Sequence, residues 1–467
     1  MRYLPVAILV VLLGPAQAAW ACATPTPQIT SVIEDIVSGD QEAADAAIIK
    51  LRDQGPDGLL ALVTHYQMRQ VKSPDGSMPA TSEELIRLKG AIDLVGGQRD
   101  CALSQLYWYT DLEAAKQESR QSQRPILSLR LLGKLTDEFS CANSRFFRTT
   151  LYANTETSAY LRTNFVLHWQ SVRPVPRVTI DFGDGRKLER TLTGNSIHYV
   201  LDSDGRAIDA LPGLYGPKAF LRGLVNALQA HQALLATSPD RRDAVLIDYH
   251  RQRIAALGAA WQNDIRQLGR TSPDRTSQAV AETPQARLAK SSGPNAPDTP
   301  AAATAAPRAV AKGVVEVPLI AAMAFNPLAD PRVADDEELW RQLAQLHAAD
   351  AKLDEASVEA MRAKMPTARR AGAVAISKRK VEDPLLRVVL NFQATIALDT
   401  VRNEYLLHRQ LHDWFVTGKA SKDVNVLNER VYAELFLTPS ADPWLGLVAQ
   451  DTYTAIENDG RVTLAKP

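Results

Sequence analysis

The segment Pro125-Ile-Leu-Ser-Leu-Arg-Leu-Leu132 is a near-continuous apolar run with the length of one β-strand. Such runs are typical of a strand that is covered on both faces, as in a parallel or mixed sheet. An amphipathic helical pattern over 111–123 precedes it, and a helix ending near Leu161 leads to a second apolar strand over 164–169. With the strand-like aromatic segment 106–109 upstream, these residues predict a β-α-β-α-β unit.

Two hairpins and a helix complete this unit. The segment 177–192 turns at Gly183-Asp184-Gly185, and the segment 197–208 turns at Asp204-Gly205. Both turns resemble calcium-binding loops, but each lacks the later glutamate that such a loop needs, so we interpret them as turns alone. A helical pattern over 216–230 closes the unit, which we predict to be an α/β domain.

Helical patterns flank the α/β unit on both sides. The longest begins at Asp383-Pro384, stops at Gly418 and has one apolar face, which predicts a helix ~50 Å long. Residues 271–313 are rich in Ala, Pro, Ser and Thr and contain no aromatic residue, which is typical of a flexible linker. We therefore predict a multidomain α plus α/β protein. Its segments are a signal peptide over 1–18, a helical module over 24–98, the α/β domain over 100–236, a helical extension over 237–270, a disordered linker over 271–313 and an all-helical domain over 314–467.

The first residues predict export. Arg2, the apolar stretch 4–13 and the small-x-small site Ala16-Gln17-Ala18 form the pattern of a secretory signal peptide. The apolar stretch is shorter than the ~20 residues of a membrane span, and no later run is long and apolar enough to span. We expect the mature protein in a periplasm or outside the cell. A second small-x-small site ends before Cys22, whose lipidation would anchor the chain, but the residues before it fit a lipoprotein signal poorly.

The charge balance argues against a nucleic-acid partner. Lys plus Arg number 53 and Asp plus Glu number 53, so the formal net charge is zero. Binding to the phosphate backbone needs a basic patch or stripe, and neither a basic excess nor a basic block is present. We therefore expect no nucleic-acid partner.

The segment that follows the first apolar strand contains Cys141-Ala-Asn-Ser144-Arg145. The residues from about 103 to 228 resemble the thioredoxin fold, especially the exported thioredoxin-like domains of bacterial thiol:disulfide interchange proteins. In this resemblance Cys141 matches the first cysteine of the family's Cys-x-x-Cys-Lys motif, Ser144 the second and Arg145 the lysine. The pairs Thr150-Leu151 and Phe165-Val166 also fall in register with the family pattern.

Several residues depart from the family pattern. Ser140 replaces the tryptophan of the motif, Ser144 replaces the resolving cysteine, and Ser196 stands where the family has a cis-proline. A dithiol exchange cycle needs a second thiolate to release a captured partner, so reduction of disulfides by this chain alone is not expected. Beside Cys141, Asn195 and Ser196 would form a substrate-binding edge to which a partner peptide adds as a strand.

The resemblance leaves two hypotheses open. In the first, Cys141 heads a helix that lowers the pKa of its thiol, Ser144 donates a hydrogen bond to the thiolate, and Arg145 adds positive charge. Cys141 would then form mixed disulfides with protein thiols, which glutathione or another small thiol resolves. In the second, the domain is a redox-silent scaffold that binds partner proteins through its helical modules.

The cysteine count does not decide between these hypotheses. The chain has three cysteines, Cys22, Cys101 and Cys141, so at least one is free, lipidated or paired between chains. A Cys101–Cys141 disulfide is allowed in an oxidising compartment, but sequence alone does not supply the geometry that it requires.

Histidines supply the remaining candidates. Glu404, His408 and His412 share one face of the long helix, a spacing that suits a metal ion, but a helix–helix contact explains them as well. His168 and His198 lie in predicted strands, where a histidine that is satisfied within the core is the usual case. We therefore predict no metal and no cofactor.

Overall fold

The computed structural model describes residues 27–70, 82–191, 194–270, 336–364 and 384–441. The predicted signal peptide, Cys22 and the predicted linker 271–313 lie outside these residues. None of the described helices is long and apolar enough to cross a membrane.

An N-terminal bundle of helices forms the first layer. It consists of α1 (Pro27–Val37), α2 (Gln41–Asp53), α3 (Pro56–Gln70) and α4 (Ser82–Gly96), followed by the single turn α5 (Cys101–Ser104). Asp40 caps α2 by accepting hydrogen bonds from the backbone of the first turn. The bundle has its own apolar core, which includes Leu51, Leu62, Ile92 and Cys101. The described helices α1 to α4 lie in the range 24–98, for which the sequence predicts a helical module.

A five-stranded mixed sheet forms the centre of the molecule, in the order β1-β3-β2-β6-β7. Its strands are β1 (Trp108–Tyr109), β2 (Ile126–Leu132), β3 (Val166–Arg173), β6 (Ser196–Leu201) and β7 (Ala207–Pro212), and β4 (Arg177–Asp181) pairs with β5 (Lys187–Thr191) in a separate hairpin. β1, β3 and β2 are parallel, whereas β6 runs antiparallel to β2 and β7 antiparallel to β6. The apolar run that starts at Pro125 is therefore the central strand, and every residue of β2 is buried. Both predicted hairpins are present.

Helices follow β1, β2 and β7, and helices cover the sheet. These are α6 (Leu112–Ser122), α7 (Ala142–Phe146) with a π-helical turn over Phe147–Leu151, α8 (Thr155–Asn164), α9 (Pro217–Leu235) and α10 (Arg242–Gln267). Side chains of Asp111 and Asn154 cap α6 and α8 by accepting backbone N–H groups. A mixed sheet flanked by helices is the α plus α/β arrangement that the sequence predicts.

The C-terminal helices complete the core of the sheet. They are α11 (Glu337–Leu346), α12 (Glu355–Lys364), α13 (Pro384–Arg402), α14 (Arg409–Thr417) and α15 (Val424–Arg430), with π-helical turns over Asn403–His408 and Val431–Leu435. The predicted helix from Pro384 to Gly418 is thus present, and Gly418 ends it with a φ of 74°. Residues of these helices, such as Trp340, Tyr405 and Tyr432, belong to the same apolar cluster as the central strand. In the described residues, the segment that we predicted as a separate all-helical domain therefore shares one core with the sheet.

Polar contacts fasten the N-terminal bundle to the sheet. The indole N–H of buried Trp169 donates to the carbonyl of Gly97 at 2.7 Å. Arg52 donates to the carbonyls of Val95 at 2.7 Å and Trp108 at 3.0 Å, and so links α4 to the edge strand. One buried and one partly buried hydrogen bond thus join the bundle to the sheet.

Candidate functional site

Cys141 lies where β2 has ended and α7 begins. It is the N-terminal capping residue of α7, and its backbone N–H donates to the carbonyl of Leu132 at 3.2 Å. The position at a helix start is the one that the resemblance implies. The side chain, however, has an exposed fraction of 0 % and belongs to the apolar cluster of the sheet. A reagent or partner in solution has no access to this sulfur in the folded state.

The electrostatics of Cys141 differ from our expectation. Burial raises the pKa of the thiol above its ordinary 9.0, while hydrogen bonds from Ser144 and the charge of Arg145 oppose this rise without cancelling it. Desolvation penalises the charged form of a thiol, and here it outweighs the helix terminus. The lowered pKa that we expected is therefore not found, and Cys141 is a protonated thiol at neutral pH.

Ser144 and Arg145 are placed beside Cys141, but their polar groups are engaged elsewhere. The hydroxyl of buried Ser144 donates to the backbone carbonyl of Cys141 at 2.8 Å. The Arg145 guanidinium donates to the carbonyl of Ser140 and to the hydroxyl of Thr191, both at 2.7 Å. These contacts hold the start of the helix and the neighbouring hairpin in place, which is a structural role for Ser144 and Arg145.

The proposed substrate edge is covered by the C-terminal helices. Ser196 is buried and its hydroxyl accepts a hydrogen bond from the Asn143 amide at 2.9 Å. The side-chain amide of Asn195 donates to the Thr438 hydroxyl at 3.2 Å, and the backbone carbonyl of Asn195 accepts from the Tyr432 hydroxyl at 3.2 Å. Asn195 and Ser196 therefore bond within the chain, and the edge at which we expected a partner peptide is not open in this conformation.

Cys101 and Cys141 are both free. Cys101 lies in the core of the N-terminal bundle, where its thiol donates to the Leu106 carbonyl at 3.4 Å. Burial raises the pKa of this thiol well above the ordinary value. The Cys101–Cys141 disulfide that we considered is not formed, because the two residues belong to the cores of different units.

A pocket opens between the N-terminal bundle and the sheet. It has a volume of about 400 Å³. Its lining is largely apolar and aromatic, with Leu60, Tyr107, Tyr109 and Phe165 among the contributors, and Glu118, Arg124 and Arg162 supply charge. Pockets of this size with a few convergent polar groups are typical of ligand-binding and partner-binding sites. The pocket adjoins Val166, which starts β3, and is thus at the opposite end of the parallel strands from Cys141.

The polar groups of this pocket are partly engaged. Glu118 pairs with Arg124 at 3.3 Å, and the Tyr107 hydroxyl donates to the Arg52 carbonyl at 2.9 Å. Burial, together with the nearby charge of Glu118, raises the pKa of Tyr109 to about 12, so its hydroxyl keeps its proton. A hydroxyl in that state is a hydrogen-bond donor at the wall of an apolar pocket.

The histidines on the long helix have a different carboxylate partner from the one we considered. His408 Nε2 lies 3.0 Å from Asp209 Oδ1, and His412 Nδ1 lies 3.8 Å from the same oxygen. Glu404 instead forms an ion pair with Arg222 at 2.9 Å. The turn over Asn403–His408 is π-helical, which rotates Glu404 away from the face that we expected it to share.

His250 joins this group from α10. Its Nδ1 lies 2.9 Å from the Nδ1 of His412. Burial lowers the pKa of His250 to about 4 and lowers that of His412 well below 6.5. For Asp209, burial alone would raise the pKa, but the neighbouring imidazoles of His408 and His412 lower it below the ordinary value. The imidazoles of His250 and His412, whose pKa values are lowered by burial, therefore lie in the same buried group as this carboxylate.

His168 and His198 have structural roles, as the sequence suggests. His168 Nδ1 is 2.8 Å from the Ser128 hydroxyl on β2, and His198 Nε2 is 2.7 Å from the Tyr152 hydroxyl. Burial lowers the pKa of each ring to about 3. Both are neutral members of the sheet core.

Sequence reasoning missed two polar residues of the sheet. Asp209 follows a turn and sits in a strand that reads as mostly apolar, so its meeting with histidines far along the chain had no local signal. Arg130 lies on the central strand with its side chain buried, and it donates to the Gln170 side chain on the neighbouring strand. For Arg130, the sequence signal was a charged residue inside an otherwise apolar strand.

Comparison of the chain with protein-family models, with curated proteins and with solved structures gave no match.

Proposed function

We propose that this chain is an exported, thioredoxin-like scaffold without thiol chemistry, which binds partner proteins through its N-terminal helical module. The observation that carries the proposal is the burial of the Cys141 sulfur, whose exposed fraction is 0 %. A nucleophilic cysteine needs a stabilised thiolate and access to its target, and Cys141 has neither. The cysteine acts as a small apolar residue of the core.

The order of elements supports the thioredoxin-like part of the proposal. Three parallel strands joined by helices are followed by an antiparallel hairpin and a closing helix, which is the order on which the resemblance rests. The hairpin of β4 and β5 is an additional element between them. Arg145 contacts Thr191 at the end of this hairpin, so the addition is tied to the segment that replaces the redox motif.

The pocket at the N-terminal bundle is the proposed binding site for the partner. Leu60 is 42 % exposed at its rim, and Tyr107 and Tyr109 pack edge to face with ring centroids 5.1 Å apart. Rigid aromatic residues beside an apolar pocket resemble the centres of protein interfaces, where a few anchors supply most of the binding energy. The partner would insert an aliphatic or aromatic side chain, with an acceptor for the Tyr109 hydroxyl.

A thiol-redox role for Cys141 is the second candidate. It is favoured by the position of Cys141 at a helix start and by the neighbouring Ser144 and Arg145, which oppose the rise of the thiol pKa that burial causes. In that case the core around Cys141 would have to open before the thiol reacts. The protein would then form mixed disulfides that an external thiol resolves.

Thiol labelling separates the two candidates. In the intact protein, Cys141 should react with a maleimide ~10³-fold or more slowly than an exposed thiol, because reaction requires unfolding or a large local opening. The Val426→Cys variant supplies the matched control, since Val426 is 58 % exposed on α15. Peptide mapping reports each site. Labelling of Cys141 within about tenfold of the control, with a half-maximal rate below about pH 7.5, would overturn the scaffold proposal.

A second experiment tests the binding site. A photo-crosslinking amino acid at Leu60, in the pocket, is compared with one at Ile180, which is similarly exposed at 46 % on β4. In cells that produce the protein, a discrete partner should crosslink from position 60 and not from position 180. Tyr109→Ala should remove that product. Identical products from both positions, or none from position 60, would contradict the assignment of the pocket.

A further inference from the structure

Four polar side chains from distant parts of the chain converge behind the sheet. Asp209 comes from β7, His250 from α10, His408 from the end of the π-helical turn and His412 from α14. One ligand atom from each of Asp209, His408 and His412 lies within 4.8 Å of the other two. All four residues are buried. Convergence of this kind requires the sheet and the C-terminal helices to be assembled.

The distances suit a common metal ion. In a tetrahedral site with bonds of ~2.0–2.1 Å, the ligand atoms lie ~3.4 Å from one another. Asp209 Oδ1 is 3.0 Å from His408 Nε2 and 3.8 Å from His412 Nδ1, which brackets this value. His412 Nδ1 and His250 Nδ1 are 2.9 Å apart. The ligand atoms of Asp209, His408 and His412 thus surround a common centre, and the contact with His412 brings the His250 nitrogen next to it.

We propose that Asp209, His250, His408 and His412 bind one divalent transition-metal ion of the Zn²⁺ class. Three imidazole nitrogens and one carboxylate oxygen are ligands of Zn²⁺, Co²⁺ or Ni²⁺, whereas Ca²⁺ and Mg²⁺ prefer oxygen alone. Structural zinc sites take four protein ligands and are closed to solvent. The burial of all four side chains therefore indicates a structural site and not a catalytic one.

Outer contacts hold the carboxylate in place. The Tyr249 hydroxyl donates to Asp209 Oδ2 at 2.5 Å, and the backbone N–H of Ala210 donates to Oδ1 at 2.8 Å. The His250 ring stacks on Phe415 with centroids 4.0 Å apart and planes 11° apart. Such partners orient ligands before the metal arrives, as they do in known metal sites.

Imidazole rings are the basic neighbours of the Asp209 carboxylate. In the described residues, the basic side chains within 4.0 Å of it are those of His408 and His412. A divalent cation placed between these groups would bind the carboxylate oxygen and the imidazole nitrogens that now face one another. The ion would clamp β7 to α10 and α14.

The experiment measures the metal in the intact chain. Protein purified without chelator and dialysed extensively should retain about one zinc ion per chain by elemental analysis. After removal of metal, Zn²⁺ should raise the Tm, and Co²⁺ should give the intense visible absorption of a four-coordinate site. His412→Gln and Asp209→Asn should reduce the bound metal to below about a tenth of an ion per chain.

Two matched controls keep the test specific. His198→Gln removes another buried histidine of the same sheet, and Glu404→Gln removes the acidic residue on the same helix that bonds to Arg222. Both should keep the metal. The proposal is overturned if the wild-type chain retains no metal and shows neither a Tm rise nor a Co²⁺ spectrum. It is also overturned if His412→Gln binds as well as wild type. Should that variant fail to fold, the wild-type measurements alone decide.

Discussion

Replacing His198 with glutamine should make the stability of the protein less sensitive to acid. His198 lies in β6, its side chain is fully buried, and its Nε2 is 2.7 Å from the Tyr152 hydroxyl. Burial lowers the pKa of its imidazole from 6.5 to about 3. The folded protein therefore keeps this ring neutral over a pH range in which the unfolded chain protonates it.

The magnitude follows from the two pKa values. Because the folded-state pKa is depressed, the contribution is present in full above about pH 6.5 and is lost as the pH falls toward 3. Between about pH 7 and pH 4.5, the wild-type protein should lose about 2.5 kcal/mol of its free energy of unfolding through this one group. Glutamine does not titrate in this range, and its amide can still bond to the Tyr152 hydroxyl. The His198→Gln variant should therefore lack this part of the loss.

Urea unfolding at about pH 7 and pH 4.5, followed by tryptophan fluorescence, measures the difference. The matched control is Tyr152→Phe, which removes the hydrogen bond but leaves the buried imidazole. Because burial causes the lowered pKa, this control should keep the pH dependence of the wild type while losing stability at both pH values. Equal acid losses in wild type and His198→Gln would refute the reasoning, since all other histidines are common to both proteins.

Three further predictions concern stability, each measured by urea unfolding. Burial raises the pKa of Asp399 to about 6, so Asp399→Asn should stabilise the protein by about 1–2 kcal/mol at pH 7 and not at pH 3.5. The full pKa rise corresponds to ~3 kcal/mol of unfolding free energy, and we expect a smaller gain because the side chain is only partly buried. Equal effects of the substitution at both pH values would contradict this prediction. Gly216→Ala should lower the free energy of unfolding by about 2 kcal/mol or more, because a Cβ there would lie 2.3 Å from the backbone oxygen of Asp350. An unchanged urea midpoint would contradict this expectation. Trp169→Phe should cost about 1–3 kcal/mol because it leaves the buried Gly97 carbonyl without its donor, and a neutral result would mean that this bond does not fasten the bundle to the sheet.

Local patterns predicted the elements of the fold well. The apolar run ending at Leu132 is the buried central strand, the glycines near 183–185 turn a hairpin, and Gly418 ends the long helix in the left-handed region. These features depend on residues that are near one another in sequence, where spacing and turn chemistry act directly. The helix start at Cys141 belongs to the same class.

Long-range packing could not be predicted in the same way. A C-terminal segment that includes Tyr432 and Thr438 packs into the core that holds Cys141 and bonds to Asn195, and no local pattern indicates that this segment folds over the sheet. The partner of His408 is Asp209 and not Glu404, because a π-helical turn changes which residues share a face. The sequence therefore indicated that His408 and His412 lie on one face of the helix, but it did not indicate the carboxylate beside them.

The shared core has a consequence for how the chain is made. A ribosome releases all five strands of the sheet well before it reaches the residues 336–441 that cover them. Until then the nascent polypeptide exposes an apolar face, which chaperones or proteases can engage. Messages or proteolytic products that stop after residue 270 should consequently yield insoluble or rapidly degraded fragments, although such fragments contain every strand.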